Sequence, residues 1–395
     1  MSFVRKQYDI VLSRIKEPRG KIQVIVGPRQ VGKSTLMDQV LEKCPIPYTL
    51  AKADNIDPND RGWIKRTWES ARGTMSTKKY DQYLLVIDEI QKIRHWSDAV
   101  KEEWDWDTSN RIELQVVLLG SSRLMLQSGL RESLAGRFEL IRMTHWSLTE
   151  MQQAFGFTLD QYIYYGGYPG AAIFSGDESR WRRYIKDSII SPAIERDIIL
   201  TTNIYKPILM KRLFHLGCSY SAQELSLTKM LGQLQDVGNV TTLAGYLDVL
   251  EQSQLLGGLQ KYANDESRKY NSSPKLQVFN NALLSANLRC SYEKARTTAE
   301  LWGRWVESAV GAHLITQAEE NDLHVCYWRN RNAEVDFIVA DDDVCVAFEV
   351  KSGRRSMNAG MSEFAKMFHP QHSYIIGTGG IPLEIFLESD ITQWL

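Results

Sequence analysis

Short apolar runs alternate with amphipathic stretches along the N-terminal part of the chain. Ile22 to Val26, Leu84 to Ile87 and Leu114 to Leu119 are largely apolar, which is typical of strands that are buried on both faces of a parallel sheet. Phe3 to Ile15 instead places apolar residues at helical spacing, and a second helical pattern begins at Thr35. This alternation of strands and helices predicts an α/β fold.

The middle of the chain, residues 158–290, is predicted to be mostly helical. Ser221-Ala222-Gln223-Glu224 matches a capping box and predicts a helix start. Apolar residues from Leu243 to Leu255 line one side of a further helix, and a glycine pair then precedes a predicted hairpin. This order outlines a winged helix. Its second helix carries Asp248 and Glu251, which would repel phosphates, so we favour a packing or inter-subunit role over DNA reading.

Composition narrows the class of protein. The 395 residues are enough for two or three domains, and the net charge is −1, so any contact with nucleic acid must come from local patches. The five cysteines form no C-x-x-C pair, which favours reduced thiols and a cytoplasmic location. The N-terminus lacks the apolar region of a secretory signal, and no apolar run approaches a membrane span in length, so no membrane contact is expected.

A glycine-rich loop lies between the first predicted strand and the helix that follows it. Its sequence, Gly27 to Ser34, matches the pattern G-x-x-x-x-G-K-S/T of nucleoside triphosphatases. Gly27 and Gly32 allow backbone N–H groups to turn toward one anion, and the helix start adds its positive dipole end. Lys33 is expected to reach the outer phosphates of ATP, and Ser34 to ligate Mg²⁺. The predicted nucleotide-binding residues are Gly27, Pro28, Arg29, Gln30, Val31, Gly32, Lys33, Ser34 and Thr35.

A second motif places two carboxylates directly after an apolar strand. Asp88 and Glu89 follow Leu84 to Ile87, at the strand end where open α/β sheets bind their ligands. Asp88 is expected to hold Mg²⁺ through water, and Glu89 to orient the attacking water. A strand that merely ends in Asp-Glu is the alternative. The phosphate-binding pattern upstream favours the catalytic interpretation.

Two further functional positions leave alternatives open. The strand Leu114 to Leu119 is followed by Gly120-Ser121-Ser122. A polar side chain there, with Ser122 as the candidate, would sense the γ-phosphate; the alternative is that Ser121 and Ser122 are plain turn residues. Arg131 and Arg137 follow. One of these two arginines, with Arg137 as the candidate catalytic residue, is either an arginine finger that acts across a subunit interface or a solvated salt-bridge partner.

These motifs resemble the AAA-type ATPase module of a widespread prokaryotic family, in which the module is followed by a conserved domain of unassigned role. The resemblance implies ATP as a ligand, Mg²⁺ as a cofactor and a homo-oligomer, either a ring or another multimer. Family members usually carry an acidic residue soon after a Pro-Lys-Leu stretch, where this chain has Asn280-Asn281. The segments that carry the resemblance are Gly27 to Ser34, Ile87 to Gln91, Gly120 to Ser122, Ser133 to Arg137, Tyr165 to Pro169 and Ser273 to Leu276.

The C-terminal part has a different order of elements: a helix, three meandering strands, a helix and a strand. This is the core order of the PD-(D/E)xK nucleases, and the pattern resembles archaeal junction resolvases and type II restriction enzymes. The predicted elements are a helix from Leu301 to Gln317, strands Leu323 to Trp328, Glu334 to Ala340 and Val344 to Lys351, a helix near Asn358 to Phe368, and a strand from Ser373 to Gly377.

Acidic residues fall on two of these strands in the positions that nuclease chemistry needs. Alternation along the strand predicts that Glu334 and Asp336 lie on one face and Val335 and Phe337 on the other. Glu349 and Lys351 are expected to share a face of the next strand.

If these strands pair, Asp336 and Glu349 would converge. They would bind Mg²⁺ with Glu307 completing the shell, and Lys351 would help to activate water. A nuclease-like fold that only binds or packs is the alternative.

The sequence therefore predicts three domains in an α/β protein. They are a P-loop AAA-type ATPase domain over residues 1–157, a helical and winged-helix domain over 158–290, and a PD-(D/E)xK nuclease-like domain over 291–395. The expected function is ATP hydrolysis coupled to metal-dependent cleavage or remodelling of nucleic acid, DNA more than RNA. The alternative is a nucleotide-dependent switch or scaffold whose nuclease-like domain is inactive.

Overall fold

The structure, a computed structural model, describes residues 3–120, 130, 133–199, 204–234, 239–263, 272–353 and 359–395. It divides into two compact units, Met1–Thr144 and His145–Leu395. The predicted boundary near residue 290 stays a prediction; the segments on either side of it contribute strands to one sheet of the second unit.

The first unit contains a five-stranded sheet in the order β2-β3-β4-β1-β5, and every pairing in it is parallel. The predicted α/β fold of this part is therefore confirmed. Its strands are β1 (Ile22–Val26), β2 (Tyr48–Lys52), β3 (Tyr83–Asp88), β4 (Leu114–Gly120) and β5 (Phe138–Arg142), and its helices are α1 (Gln7–Ile15), α2 (Lys33–Glu42), α3 (Gly62–Lys78) and α4 (Trp96–Asn110), with a 3-10 turn at Ile90–Lys92.

The second unit combines helices with a seven-stranded sheet in the order β12-β11-β10-β9-β7-β8-β6. The strands are β6 (Gln223–Glu224), β7 (Leu256–Lys261), β8 (Lys275–Val278), β9 (His324–Asn330), β10 (Ala333–Ala340), β11 (Cys345–Lys351) and β12 (His372–Gly377). The helices are α5 (Leu148–Phe155), α6 (Leu159–Tyr165), α7 (Pro169–Ala172), α8 (Glu178–Tyr184), α9 (Pro207–Ser219), α10 (Leu227–Leu234), α11 (Val240–Gln252), α12 (Asn281–Asn287), α13 (Tyr292–Thr297), α14 (Ala299–Glu320), α15 (Ala359–Phe368) and α16 (Leu383–Glu388). Two π-helical segments (Ile185–Ile190 and Ala193–Ile199) and a 3-10 turn (Ile391–Trp394) complete it.

The predicted capping box at residues 221–224 is wrong. Gln223 and Glu224 instead form the short strand β6, which pairs antiparallel with Lys275 and Leu276 of β8. Ser221 is fully buried, and its hydroxyl accepts a hydrogen bond from the Val278 N–H group. The serine therefore fixes a strand edge rather than a helix start.

The C-terminal elements agree with the predicted ones in order and nearly in their bounds. Strand β10 lies between β9 and β11 and is antiparallel to both, while β12 is parallel to β11. Helix α14 covers one face of these strands, where Val310 and Leu314 pack in one cluster with Phe337 and Phe348. On the other face, Phe364 of α15 packs in a separate cluster with Val335 and Ala347.

All five cysteines are free thiols, as predicted. Within the described ranges, no helix is both long and apolar enough to cross a membrane.

Candidate nucleotide site and C-terminal carboxylate cluster

The glycine-rich loop occupies the turn between β1 and α2, and the structure shows why glycine is needed at two of its positions. A Cβ atom at Gly27 would lie 2.1 Å from the carbonyl oxygen of Met143, so any side chain there would collide with backbone. Gly32 has φ +96° and directly precedes the first residue of α2, a conformation that side chains disfavour. Both glycines therefore shape the loop, as the sequence predicts.

Lys33 is buried beneath this loop. Its ammonium group donates hydrogen bonds to the carbonyl oxygens of Gly27 at 2.8 Å and Pro28 at 2.7 Å. These bonds hold the positive charge within the loop that is predicted to bind phosphate. A nucleotide phosphate would be a stronger acceptor than a carbonyl oxygen.

Ser34 and Asp88 come together although 54 positions separate them in sequence. The Ser34 hydroxyl donates to Asp88 Oδ2 at 2.8 Å, and Asp88 is only 4% exposed. Among the described residues, Asp88 Oδ1 has no hydrogen-bond partner. A buried carboxylate oxygen without a donor is costly, and hydroxyl and carboxylate oxygens are the ligands that Mg²⁺ prefers. The two residues therefore fit the predicted metal role.

Glu89 follows Asp88 in a left-handed conformation, with φ 57°. Its Oε2 accepts a hydrogen bond from the Gln91 side-chain amide at 2.9 Å and lies 3.8 Å from the Lys92 ammonium. Gln91 is part of the predicted motif, but its positioning of Glu89 could not be read from the sequence. The predicted water-orienting carboxylate is thus held by its own turn.

The register of the sheet places the end of β4 beside the phosphate loop. Gly120 pairs with Val26, the residue before Gly27. The predicted sensor Ser122 follows this position, but it lies outside the described residues, as does Arg131.

Arg137 lies at the end of the strands that is opposite the phosphate loop. It precedes Phe138, which pairs with Ile22 at the start of β1, whereas the phosphate loop follows the end of β1. Its guanidinium group makes a two-pronged contact with Asp105, at 2.7 and 2.9 Å. The hydrogen bond from Arg137 holds the pKa of the Asp105 carboxyl below its ordinary value. Arg137 therefore stands away from the loop of its own chain.

In the C-terminal part, a β-bulge re-aims the predicted carboxylate. Between the pairs Val335–Trp328 and Ile338–Cys326, two residues of β10 oppose one residue of β9. The prediction that Val335 and Phe337 share a face is wrong: Val335 packs with Phe364, and Phe337 packs in the cluster under α14. Bulges turn side chains in this way and are common beside functional sites.

Asp336, at the bulge, bridges two strands. Its Oδ2 accepts a hydrogen bond from the Val350 N–H group at 2.8 Å. This contact brings Asp336 near the neighbours of Val350 in β11, Glu349 and Lys351. The Lys351 ammonium contacts Glu349 Oε1 at 2.5 Å. Burial alone would lower the pKa of Lys351, but the hydrogen bond and charge of Glu349 outweigh it, so this pKa lies above its ordinary value.

Lys275 is the functional candidate that the sequence did not reveal. This residue of β8 is 5% exposed, and its ammonium lies 2.6 Å from Glu307 Oε1 and 3.9 Å from Asp336 Oδ1. Burial lowers the pKa of Lys275 and the two carboxylates raise it, with a net increase. Burial in turn raises the pKa of Glu307, which the charge of Lys275 opposes. Only the resemblance of the Ser273 to Leu276 segment pointed to this lysine.

We refer to Glu307, Asp336 and Glu349 as the C-terminal carboxylate cluster. Across the part of the chain that the structure describes, no group of three or more His, Cys, Asp or Glu side chains is arranged to hold a metal ion. Each member of the cluster instead has a lysine ammonium within 4.0 Å. As arranged, the cluster does not fit the predicted Mg²⁺ shell.

Asn280 occupies the region where family members usually carry an acid. Its Oδ1 accepts hydrogen bonds from the N–H groups of Gly167 and Ala282, both at 3.1 Å. Its amide group lies 3.2 Å from His145 Nδ1. The residue caps α12 and joins it to Gly167, which lies in one of the segments that carry the family resemblance. Its observed role is structural.

Three family models match successive parts of the chain. Residues 19–152 match an AAA domain. Residues 156–294 match a domain of unknown function, DUF8612, and residues 302–391 match another, DUF4143. The N-terminal part of this chain is therefore similar to an AAA domain.

Comparisons with whole proteins add little to this assignment. No match was found among curated proteins. Among solved structures, the Orc1 protein of Aeropyrum pernix in complex with DNA matches at 10% identity with a TM-score of 0.32, over 72% of this chain and 90% of that chain. A katanin structure that concerns self-assembly matches at 17% identity with a TM-score of 0.27, over 38% of this chain and 50% of that chain. TM-scores this low do not establish a shared overall fold.

Proposed function

We propose that the protein binds ATP with Mg²⁺ and hydrolyses it, and that this hydrolysis switches the state of a homo-oligomer. The observation that carries this proposal is the contact of the Ser34 hydroxyl with the buried Asp88 carboxylate beside the glycine-rich loop, with Asp88 Oδ1 left without a partner among the described residues. A structural strand end has no need of such an arrangement. The match of this segment to an AAA domain supports the same function.

Each side chain then has a defined task. The Lys33 ammonium would exchange its loop carbonyls for the outer phosphates, and Ser34 and Asp88 would hold Mg²⁺. The metal, when bound, supplies positive charge that offsets the charge on the phosphates. Glu89 orients the attacking water, and the contact with Gln91 keeps its carboxylate in place.

Two substitutions separate binding from hydrolysis. Lys33→Ala removes the charge that meets the phosphates, so nucleotide affinity should fall sharply. Glu89→Gln keeps the shape but loses the carboxylate, so it should bind ATP yet hydrolyse it about tenfold or more slowly. The measurements are equilibrium binding of a fluorescent ATP analogue and steady-state phosphate release, with the exposed Glu69→Gln as matched control. Wild-type turnover in Glu89→Gln would remove Glu89 from the mechanism.

For the rest of the chain, we propose a winged-helix arrangement in the middle and a PD-(D/E)xK nuclease-like arrangement at the C-terminal end. Support for the first comes from the order α9, β6, α10, α11, β7 and β8, in which β8 pairs with both β6 and β7. Support for the second comes from the order and pairing of the elements from α14 to β12. Lysine contacts to every member of the carboxylate cluster favour a role in binding or assembly, which is the switch reading.

Metal-dependent cleavage of nucleic acid, of DNA more than RNA, is the second candidate function. One observation favours it: the bond from Val350 to Asp336 brings the three motif residues Asp336, Glu349 and Lys351 to one place on paired strands. The test is a panel of single-stranded, duplex and branched DNA and RNA, incubated with Mg²⁺ or Mn²⁺, with and without ATP. Cleavage that Lys351→Ala abolishes would establish this function. If no substrate is cut, the nucleotide-dependent switch remains as the proposed function.

A further inference from the structure

The position of Lys275 is fixed by backbone on both sides. In β8 it pairs with Glu224 of β6 and with Leu259 of β7. The side chain is buried, and its ammonium lies 4.4 Å from the ring centre of Phe337, within the range of a cation–π contact. The lysine has little freedom to withdraw from the carboxylates that it contacts.

The atoms around this ammonium are largely the ligands predicted for a metal ion. It donates to Glu307 Oε1 at 2.6 Å and to the Asp336 carbonyl oxygen at 3.0 Å, with Asp336 Oδ1 at 3.9 Å. A hard cation would need these same oxygens. At such distances it would also meet the full repulsion of the lysine charge.

We propose that the Lys275 ammonium takes the place of a divalent cation in the C-terminal carboxylate cluster, so that the cluster binds no Mg²⁺ or Mn²⁺ while Lys275 is present. Lys351 serves Glu349 in the same way. The three carboxylates of the cluster thus face the ammonium groups of Lys275 and Lys351, which leaves little charge for an ion to neutralise. The inference rests on the proposed nuclease-like arrangement in one respect: that arrangement predicts the metal site that Lys275 is here proposed to occupy. It does not depend on ATP hydrolysis.

Manganese binding to the full-length, nucleotide-free protein tests this inference. Electron paramagnetic resonance counts bound Mn²⁺, and thermal melting in Mn²⁺ or chelator reports stabilisation. Wild type and Asp336→Asn should bind equal amounts of Mn²⁺, because the cluster contributes none. Lys275→Met keeps a side chain of similar length without charge, so it should gain one Mn²⁺ per chain, bound about tenfold or more tightly than any ion at the wild-type cluster. The double variant Lys275→Met/Asp336→Asn should lose this gain.

Two results would overturn the inference. One is a wild-type protein that binds one Mn²⁺ more than Asp336→Asn does. The other is a folded Lys275→Met protein, as judged by circular dichroism, that gains no Mn²⁺ site. If Lys275→Met does not fold, Lys275→Gln is measured in its place. The comparison of wild type with Asp336→Asn needs no lysine variant and can overturn the inference on its own. Phosphate release from ATP, measured on the same samples, tests the proposed ATPase separately.

Discussion

Single side chains in this protein hold together segments that lie far apart in sequence. Asn280 joins Gly167 to the start of α12, at a separation of 113 positions from Gly167. His313 in α14 is 7% exposed, and its ring packs edge-to-face against Phe386 at 5.4 Å. Among the described residues its Nε2 has no hydrogen-bond partner. Asn280 acts through hydrogen bonds and His313 through packing, and the residue type alone discloses neither contact.

Substitution of Asn280 should show how much this cap contributes to stability at a position near which family members usually carry an acid. Asn280→Ala removes the acceptor for two N–H groups and should lower the free energy of unfolding by about 2–3 kcal/mol, from a lost cap and an unpaired buried donor. Asn280→Asp retains the acceptor oxygen and should lower it less. Urea unfolding measures both. If Asn280→Ala unfolds at the wild-type urea concentration, the cap contributes nothing.

The stability of the second unit should depend on pH through His313. Burial lowers the pKa of His313 to about 4 from an ordinary value of 6.5. Between these two pH values the unfolded chain binds a proton at His313 and the folded chain does not. The contribution of neutral His313 to the free energy of unfolding is therefore complete above the unfolded pKa and falls as the pH drops toward 4. Between pH 7 and pH 5 the loss should be about 2 kcal/mol. Chemical unfolding of wild type and His313→Leu at both pH values isolates it, because other groups titrate in both proteins. Equal pH dependence in the two proteins would contradict the assignment.

At the scale of elements, apolar patterns located the strands that are buried on both faces, but they missed elements whose residues are mixed. The edge strand β2 is partly exposed along its whole length, so it shows no apolar run. Helix α4 was also missed, since it buries charged residues such as Asp107, which binds the Trp68 indole N–H and the Arg72 side chain. The bulge in β10 and the contacts of Lys275 depend on pairings between distant segments. No local pattern encodes such pairings.

The loop between β1 and α2 offers an element-scale test. Gly27→Ala would force a Cβ atom against the Met143 carbonyl, and overpacking of this kind costs about 1–3 kcal/mol. Nucleotide affinity should fall with stability, since the same shift moves the loop. Gly73→Ala in α3 is the matched control, because its Cβ would meet nothing within 4 Å and alanine favours a helix. Melting and nucleotide titration of both variants provide the comparison; equal behaviour would remove the close approach at Gly27 as a cause of loop shape.

At the scale of the whole molecule, the position of Arg137 has consequences for assembly. It lies beside the start of β1, whereas its own phosphate loop follows the end of β1. Any catalytic action of Arg137 must therefore be on a nucleotide bound by a neighbouring chain. Such action would require Arg137 to break its contact with Asp105. Both side chains are partly exposed to solvent. The predicted homo-oligomer is therefore a condition for any finger role of this residue.

Mixing two inactive variants tests that role. Arg137→Ala lacks the finger and Lys33→Ala lacks the phosphate contact, so a mixed oligomer should recover part of the ATP hydrolysis that each lacks alone. Turnover per chain in wild type should also rise with protein concentration. Failure of complementation, with mixing of subunits shown by native mass spectrometry, would argue against a finger at Arg137.

The central claim is that Ser34 and Asp88 form the metal side of an ATP site, and the Mg²⁺ dependence of nucleotide affinity tests it most directly. Wild type should bind ATP more tightly in Mg²⁺ than in chelator, because the buried Asp88 Oδ1, which has no hydrogen-bond partner among the described residues, would then have a cation to contact. Asp88→Asn should lose most of that gain, while Asp38→Asn, exposed on α2, should keep it. An ATP affinity in wild type that ignores Mg²⁺, or a gain in Asp88→Asn equal to that of wild type, would contradict the claim.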